Sequence, residues 1–139
     1  MEVLYRYFSG VAISLMALFA PIAPLVWCVV AFILIDFASG VVASRAEALR
    51  SGEVWFFQSQ YAWKTLYKLG FTIVAVAMAW LIDECILSFL NVQIARLFTG
   101  FVCGVELWSF LENASMISDA PLFEWMRKYV KRRINKEID

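Results

Sequence analysis

The sequence contains no histidine. That removes the residue most often used as general base and metal ligand near neutral pH, and with it every histidine-based catalytic triad. Its three cysteines, Cys28, Cys85 and Cys103, are odd in number and show no CxxC spacing. They suit neither a disulfide framework nor a zinc site, and read as buried, inert thiols. Walker loop, glycine-rich dinucleotide fingerprint and nucleophile elbow are all missing. The chain therefore does not read as an enzyme, and no catalytic residue, metal or cofactor is expected. Charge is scarce as well: only 17% of residues are Asp, Glu, Lys or Arg, against about 25% in ordinary soluble domains.

What is present is apolar. Hydrophobic residues make up 63% of the 139, and the mean hydropathy is +0.73. A soluble domain of this length leaves about a third of its unfolded-chain surface exposed, so it could not hide this much apolar area from water. The few charges are also segregated. No acidic or basic side chain lies between Tyr7 and Ile35 apart from the thiol of Cys28, none between Gly70 and Ile82, and only Cys103 between Leu97 and Val105. Apolar blocks between charged connectors are the pattern of membrane helices. The expected fold is an all-α integral membrane protein forming one membrane domain over residues 1–139. It has three to four membrane-embedded helices and a C-terminal amphipathic basic helix.

The first block is broken by Ala20-Pro21-Ile22-Ala23-Pro24. Proline removes a helix donor and clashes with the preceding turn. Two topologies follow: a short helix over 3–20 turning into a second over 24–49, or one long kinked helix. The paired prolines favour the hairpin. A cleaved leader is disfavoured by the Glu2 and Arg6 of its n-region and by Pro21 directly after Ala20. Ser51-Gly52 reads as a helix stop. The aromatic stretch from Val54 to Trp63 suits the headgroup level.

A third helix is expected over 66–90 and a fourth over 92–117. On the third, Lys68, Thr72, Ala75, Ala79 and Asp83 fall on one small and polar stripe. The tail, 119–139, opens with Asp119 as candidate N-cap and Pro121 in the first turn. It places Leu122, Trp125, Met126, Tyr129 and Val130 on one face. The basic residues Arg127, Lys128, Lys131, Arg132 and Arg133 read as contacts to an anionic lipid surface rather than to nucleic acid. Four Lys and Arg lie between Arg45 and Lys68 and six in the tail, but only Arg96 between the last two spans. The positive-inside rule then places the C-terminus in the cytoplasm.

Polar residues inside apolar runs are the candidates for function, because each needs a partner, a proton or water. Asp36 falls mid-helix in the hairpin topology and near the cytoplasmic end in the other. Glu106 shares a helix face with Ser109 and Asn113, with Glu112 on the adjacent face. These side chains read as contacts between subunits or along a pore; the alternative is a hydrogen bond within one chain. Lys68 is the base on a neighbouring span that can pair with a carboxylate. Ser39 and Gly40, followed by Ala43 and Ser44, and the GxxxG step Gly100–Gly104 are small-residue patches. They suit close helix packing within a chain or between copies.

Asp36-Phe37-Ala38-Ser39-Gly40 resembles the D-x-x-[ST]-G signature of the phage holin family that includes toxin-secretion and lysis holins. Glu106-Leu107-Trp108-Ser109-Phe110-Leu111-Glu112-Asn113 resembles its E-x-x-S-x-x-E-N signature. Trp63-Lys64-Thr65-Leu66-Tyr67-Lys68 is similar to the basic lead-in to its middle span. Order and spacing agree over about residues 25–135, whereas Ser118-Asp119-Ala120-Pro121 stands where the family often has a Gly-Val-Pro-like turn. The resemblance implies a homo-oligomer in the bacterial inner membrane that opens holes for a peptidoglycan hydrolase or another protein. Two other classes fit the composition alone: a non-conducting adaptor that recruits a soluble partner, and a small ion channel or transporter.

Overall fold

The structure, a computed structural model, describes residues 2–118 and 121–138. All regular structure among them is helical. α1 spans Glu2–Phe19, a 3-10 turn Ala20–Ile22, α2 Ala23–Ser51, α3 Ser59–Cys85, α4 Ile94–Ile117 and α5 Pro121–Ile138. The proposed cap Asp119 lies outside the described residues.

The hairpin expected at the two prolines does not close. Phe19 (φ −92°, ψ 0°) and Ile22 (φ −92°, ψ −6°) flank the 3-10 turn in near-helical conformations. With no extended or left-handed residue there, the chain kinks instead of reversing, and α1 does not pack along α2. Pro21 and Pro24 each sit in a first turn, where the amide they lack would have had no helical partner. The kinked-helix topology is the one observed.

α2 stops at Gly52, whose φ of 72° is the left-handed conformation a side chain resists. The Glu53 amide closes this end on the Ala48 carbonyl at 3.0 Å. α3 begins at Ser59, seven residues before the expected 66. The backbone is indifferent to the boundary between lipid and water, so it takes Tyr61, Trp63 and Lys64 into the helix. At its other end α3 stops at Cys85, not 90. The amides of Ile86 and Leu87 both donate to the Ile82 carbonyl, which loosens the last turn.

Three helices are long and apolar enough to cross a membrane: residues 20–51, 59–85 and 94–117. Their 32, 27 and 24 residues correspond to about 48, 40 and 36 Å at 1.5 Å per residue, against a hydrocarbon core of about 30 Å. α2 and α4 run parallel and make the main contact, and α3 returns antiparallel against both. The shared core is small: Val29 and Ile33 of α2 meet Val76 of α3, with Leu69, Phe98 and Val102 packed around them. At most 22% of the apolar window of any span is buried. The remainder faces outward, as a lipid-facing surface does. Cys28 and Cys85 are exposed on this surface and Cys103 is half-buried, contrary to the expectation of buried thiols. On a bundle whose outside is apolar, a thiol behaves as a small hydrophobe on either face.

α4 is capped from outside at both ends. Its own N-cap residue, Gln93, makes no side-chain cap. Instead Asp83 of α3 accepts from the amides of Ile94 and Ala95, each at 2.9 Å. This satisfies two orphan donors and sets a carboxylate against the positive end of the helix. At the C-terminal end Arg50 of α2 donates to the Met116 carbonyl at 2.9 Å.

Candidate functional site

Three helices bring their intramembrane polar residues to one place. Glu106 is twelve residues into α4, about 18 Å along it, and is only 2% exposed. Across the helix boundary Lys68 of α3 donates to Glu106 Oε2 at 2.6 Å. The same ammonium lies 3.9 Å from Asp36 Oδ2 of α2. Asn113, two turns beyond Glu106 on the same face of α4, donates to Asp36 Oδ1 at 3.2 Å and to Ser39 Oγ at 3.0 Å. The Ser39 hydroxyl in turn donates to its own helix at the Asp36 carbonyl, 2.8 Å away.

α2 and α4 lie close together at this layer. A Cβ added to Gly40 would stand 3.5 Å from Asn113 Nδ2, an ordinary contact distance, so α2 passes close beside the amide here. Within one chain, then, one ammonium serves two carboxyls, and an amide bridges the second of them to a serine. Burying Glu106 is tolerable because a charge-assisted hydrogen bond meets it. Lys68 is less enclosed: its side chain is 45% exposed, on the outer flank of α3.

The other candidates lie outside this layer. Ser109 lines a groove beside Asp36 and Asn113. Glu112 is exposed. Gly100 and Gly104 point away from the bundle, where added Cβ atoms would meet nothing within 4 Å. On α5, Trp125 and Tyr129 stack at 5.6 Å with both rings largely exposed. Arg127 is half-buried there, and Lys131, Arg132 and Arg133 are exposed. Lys128 donates to Glu124 at 2.8 Å, and that hydrogen bond holds the Glu124 carboxyl below the ordinary carboxylate range. Among the described residues no cluster of Cys, Asp and Glu is placed to hold a metal ion.

The Asp83 cap was not singled out in the sequence for any role beyond its place on the polar stripe. The signal was there: an acid on the face of α3 that also carries Lys68, followed by a short connector into a helix lacking its own Ser, Thr, Asp or Asn cap.

The sequence profile of the bacteriophage holin family matches residues 13–133, which takes in α2, α3, α4 and the whole polar layer. The chain belongs to the bacteriophage holin family. It is a holin-like membrane protein, and the two motifs that resembled that family supply four of the five residues in the layer. Comparison with curated proteins and with solved structures gave no match.

Proposed function

We propose that this chain is a pore-forming holin. It oligomerises in the bacterial inner membrane, with its C-terminus cytoplasmic, and permeabilises it for release of a peptidoglycan hydrolase or another protein. The observation that carries this reading is the polar layer within an otherwise apolar bundle, flanked by a Lys68 side chain that is 45% exposed. Lys68 stands one turn beyond Lys64 in the first half of α3, so a lone subunit carries a partly open charge beside apolar surface, where charges are rare and need partners. Neighbouring subunits or pore water supply such partners, with Asp36, Ser109 and Asn113 as the polar lining and the buried Glu106 holding the lysine.

Two further features support assembly. Gly100 and Gly104 leave an open small-residue groove on the outer face of α4, the kind of surface that lets helices of two copies approach closely. α5 sets an exposed aromatic face beside exposed cations, which suits an anionic lipid surface. The test is induced expression in a bacterium, following growth, membrane potential and escape of a cytoplasmic reporter enzyme. Abrupt depolarisation with reporter release is expected. Depolarisation without release would reduce the function to a small channel, and an inserted protein without either effect would favour the adaptor.

A further inference from the structure

A groove of about 460 Å³ opens directly above the polar layer, within the size range of small-molecule sites. Its floor is Asp36, Ser109 and Asn113, its walls include Phe37, Trp55 and Tyr61, and Lys64 stands among its lining residues. The connector between α2 and α3 forms one side and is pinned in place. Trp55 Nε1 donates to Ser44 Oγ at 3.3 Å, and the Phe57 ring meets Phe37 edge-on at 6.4 Å. Non-helical backbone thus brings Trp55, Phe56 and Phe57 into the lining of a groove that also holds the Asp36 carboxylate.

We propose that this groove binds the headgroup of a zwitterionic aminophospholipid, with its ammonium at Asp36 and its phosphate at Lys64. The charge distribution points to that orientation. Asp36 faces the groove, while Lys68 lies behind it, hydrogen-bonded to Glu106 and 3.9 Å from Asp36. A carboxylate offers about four acceptor sites, and within hydrogen-bonding reach the Asp36 side chain meets the Asn113 amide. Spare acceptor capacity in a groove lined by aromatic rings is a site for an ammonium group. Lys64 carries the opposite charge, 5.9 Å above the Tyr61 ring, and suits a phosphate. A soluble diamine would bring a second cation against Lys64. A lipid brings an anion there, and Phe56, 70% exposed beside the groove, offers apolar surface to its chains.

The experiment uses the purified full-length protein in detergent, titrated with an ethanolamine phospholipid or an anionic glycerol phospholipid and read by native mass spectrometry. About tenfold tighter binding of the ethanolamine lipid is expected, the scale of one charge-assisted hydrogen bond. Asp36→Asn should bring the two lipids to parity. Lys64→Gln, at the groove rim and outside the polar layer, should weaken both and keeps the test open if the Asp36 variant fails to fold. Equal affinity for the two lipids in the unmodified protein, or no effect of Lys64→Gln, overturns the proposal. So does free ethanolamine displacing the lipid at equal concentration, which would make the ligand a soluble amine.

Discussion

Lys68 makes two contacts of unequal quality, and their difference can be measured. Its ammonium is 2.6 Å from Glu106 and 3.9 Å from Asp36. Coulomb attraction falls as the inverse of distance, so at equal dielectric the first contact is about 1.5 times the second. Only the first is a hydrogen bond. Hydrogen bonds to charged groups contribute about 1.5–3 kcal/mol, and the 45% exposure of the lysine side chain places this one near the lower end. An ion pair open to its surroundings and without a hydrogen bond contributes about 0–1 kcal/mol. A double-mutant cycle on Lys68→Met and Glu106→Gln should therefore give a coupling of about 1.5–2 kcal/mol. The cycle on Lys68→Met and Asp36→Asn should stay below about 1 kcal/mol. Lys68→Met alone should be worse than its double mutant with Glu106→Gln. The single change leaves a buried carboxylate without its ammonium, whereas the double change removes both charges. The assay is chemical unfolding in mixed micelles, followed by helical circular dichroism at a protein concentration where the chain is monomeric. A Lys68–Glu106 coupling near zero, or one smaller than the Asp36 coupling, refutes the assignment of Lys68 to Glu106.

Other elements of the structure make separate predictions. Asp83→Ala should lower stability by about 1–2 kcal/mol by releasing two amides at the start of α4; unchanged unfolding would rule out the cap. Gly104→Leu should leave the monomer as stable or more so, since the site is open and glycine is about 1 kcal/mol worse than alanine in a helix. It should also reduce chemical cross-linking between copies in membranes, and a destabilised monomer would show that the glycine faces inward. In a background without native cysteines, an impermeant thiol reagent added to intact cells should label Ser88→Cys in the connector after α3. It should spare Ser51→Cys at the end of α2, and the reverse pattern would invert the proposed orientation.

Much of this architecture is legible from local chemistry. Segregated charge and high hydropathy give an all-helical membrane protein, and the Ser51-Gly52 stop follows from the freedom of glycine at positive φ. What local chemistry does not carry is direction and partnership. Two prolines three residues apart break a helix equally well as a reversal or as a kink, and the choice rests on the backbone angles of Phe19 and Ile22. Charged residues mark where a span leaves lipid but not where its helix ends, so α3 reaches back through Lys64 to Ser59. The polar layer shows the same limit most sharply. The sequence identifies Asp36, Lys68, Glu106 and Asn113 as residues that cannot stand alone in lipid. Their convergence depends on α2 and α4 running parallel with α3 returning between them, which places residues 36, 68 and 106 at one level. Parallel packing also requires an odd number of crossings between α2 and α4, and α3 supplies it while donating Asp83 to the start of α4. One helix thus completes the polar layer with Lys68 and ties the opposite end of the bundle with Asp83, and this explains why those two residues lie on a single stripe.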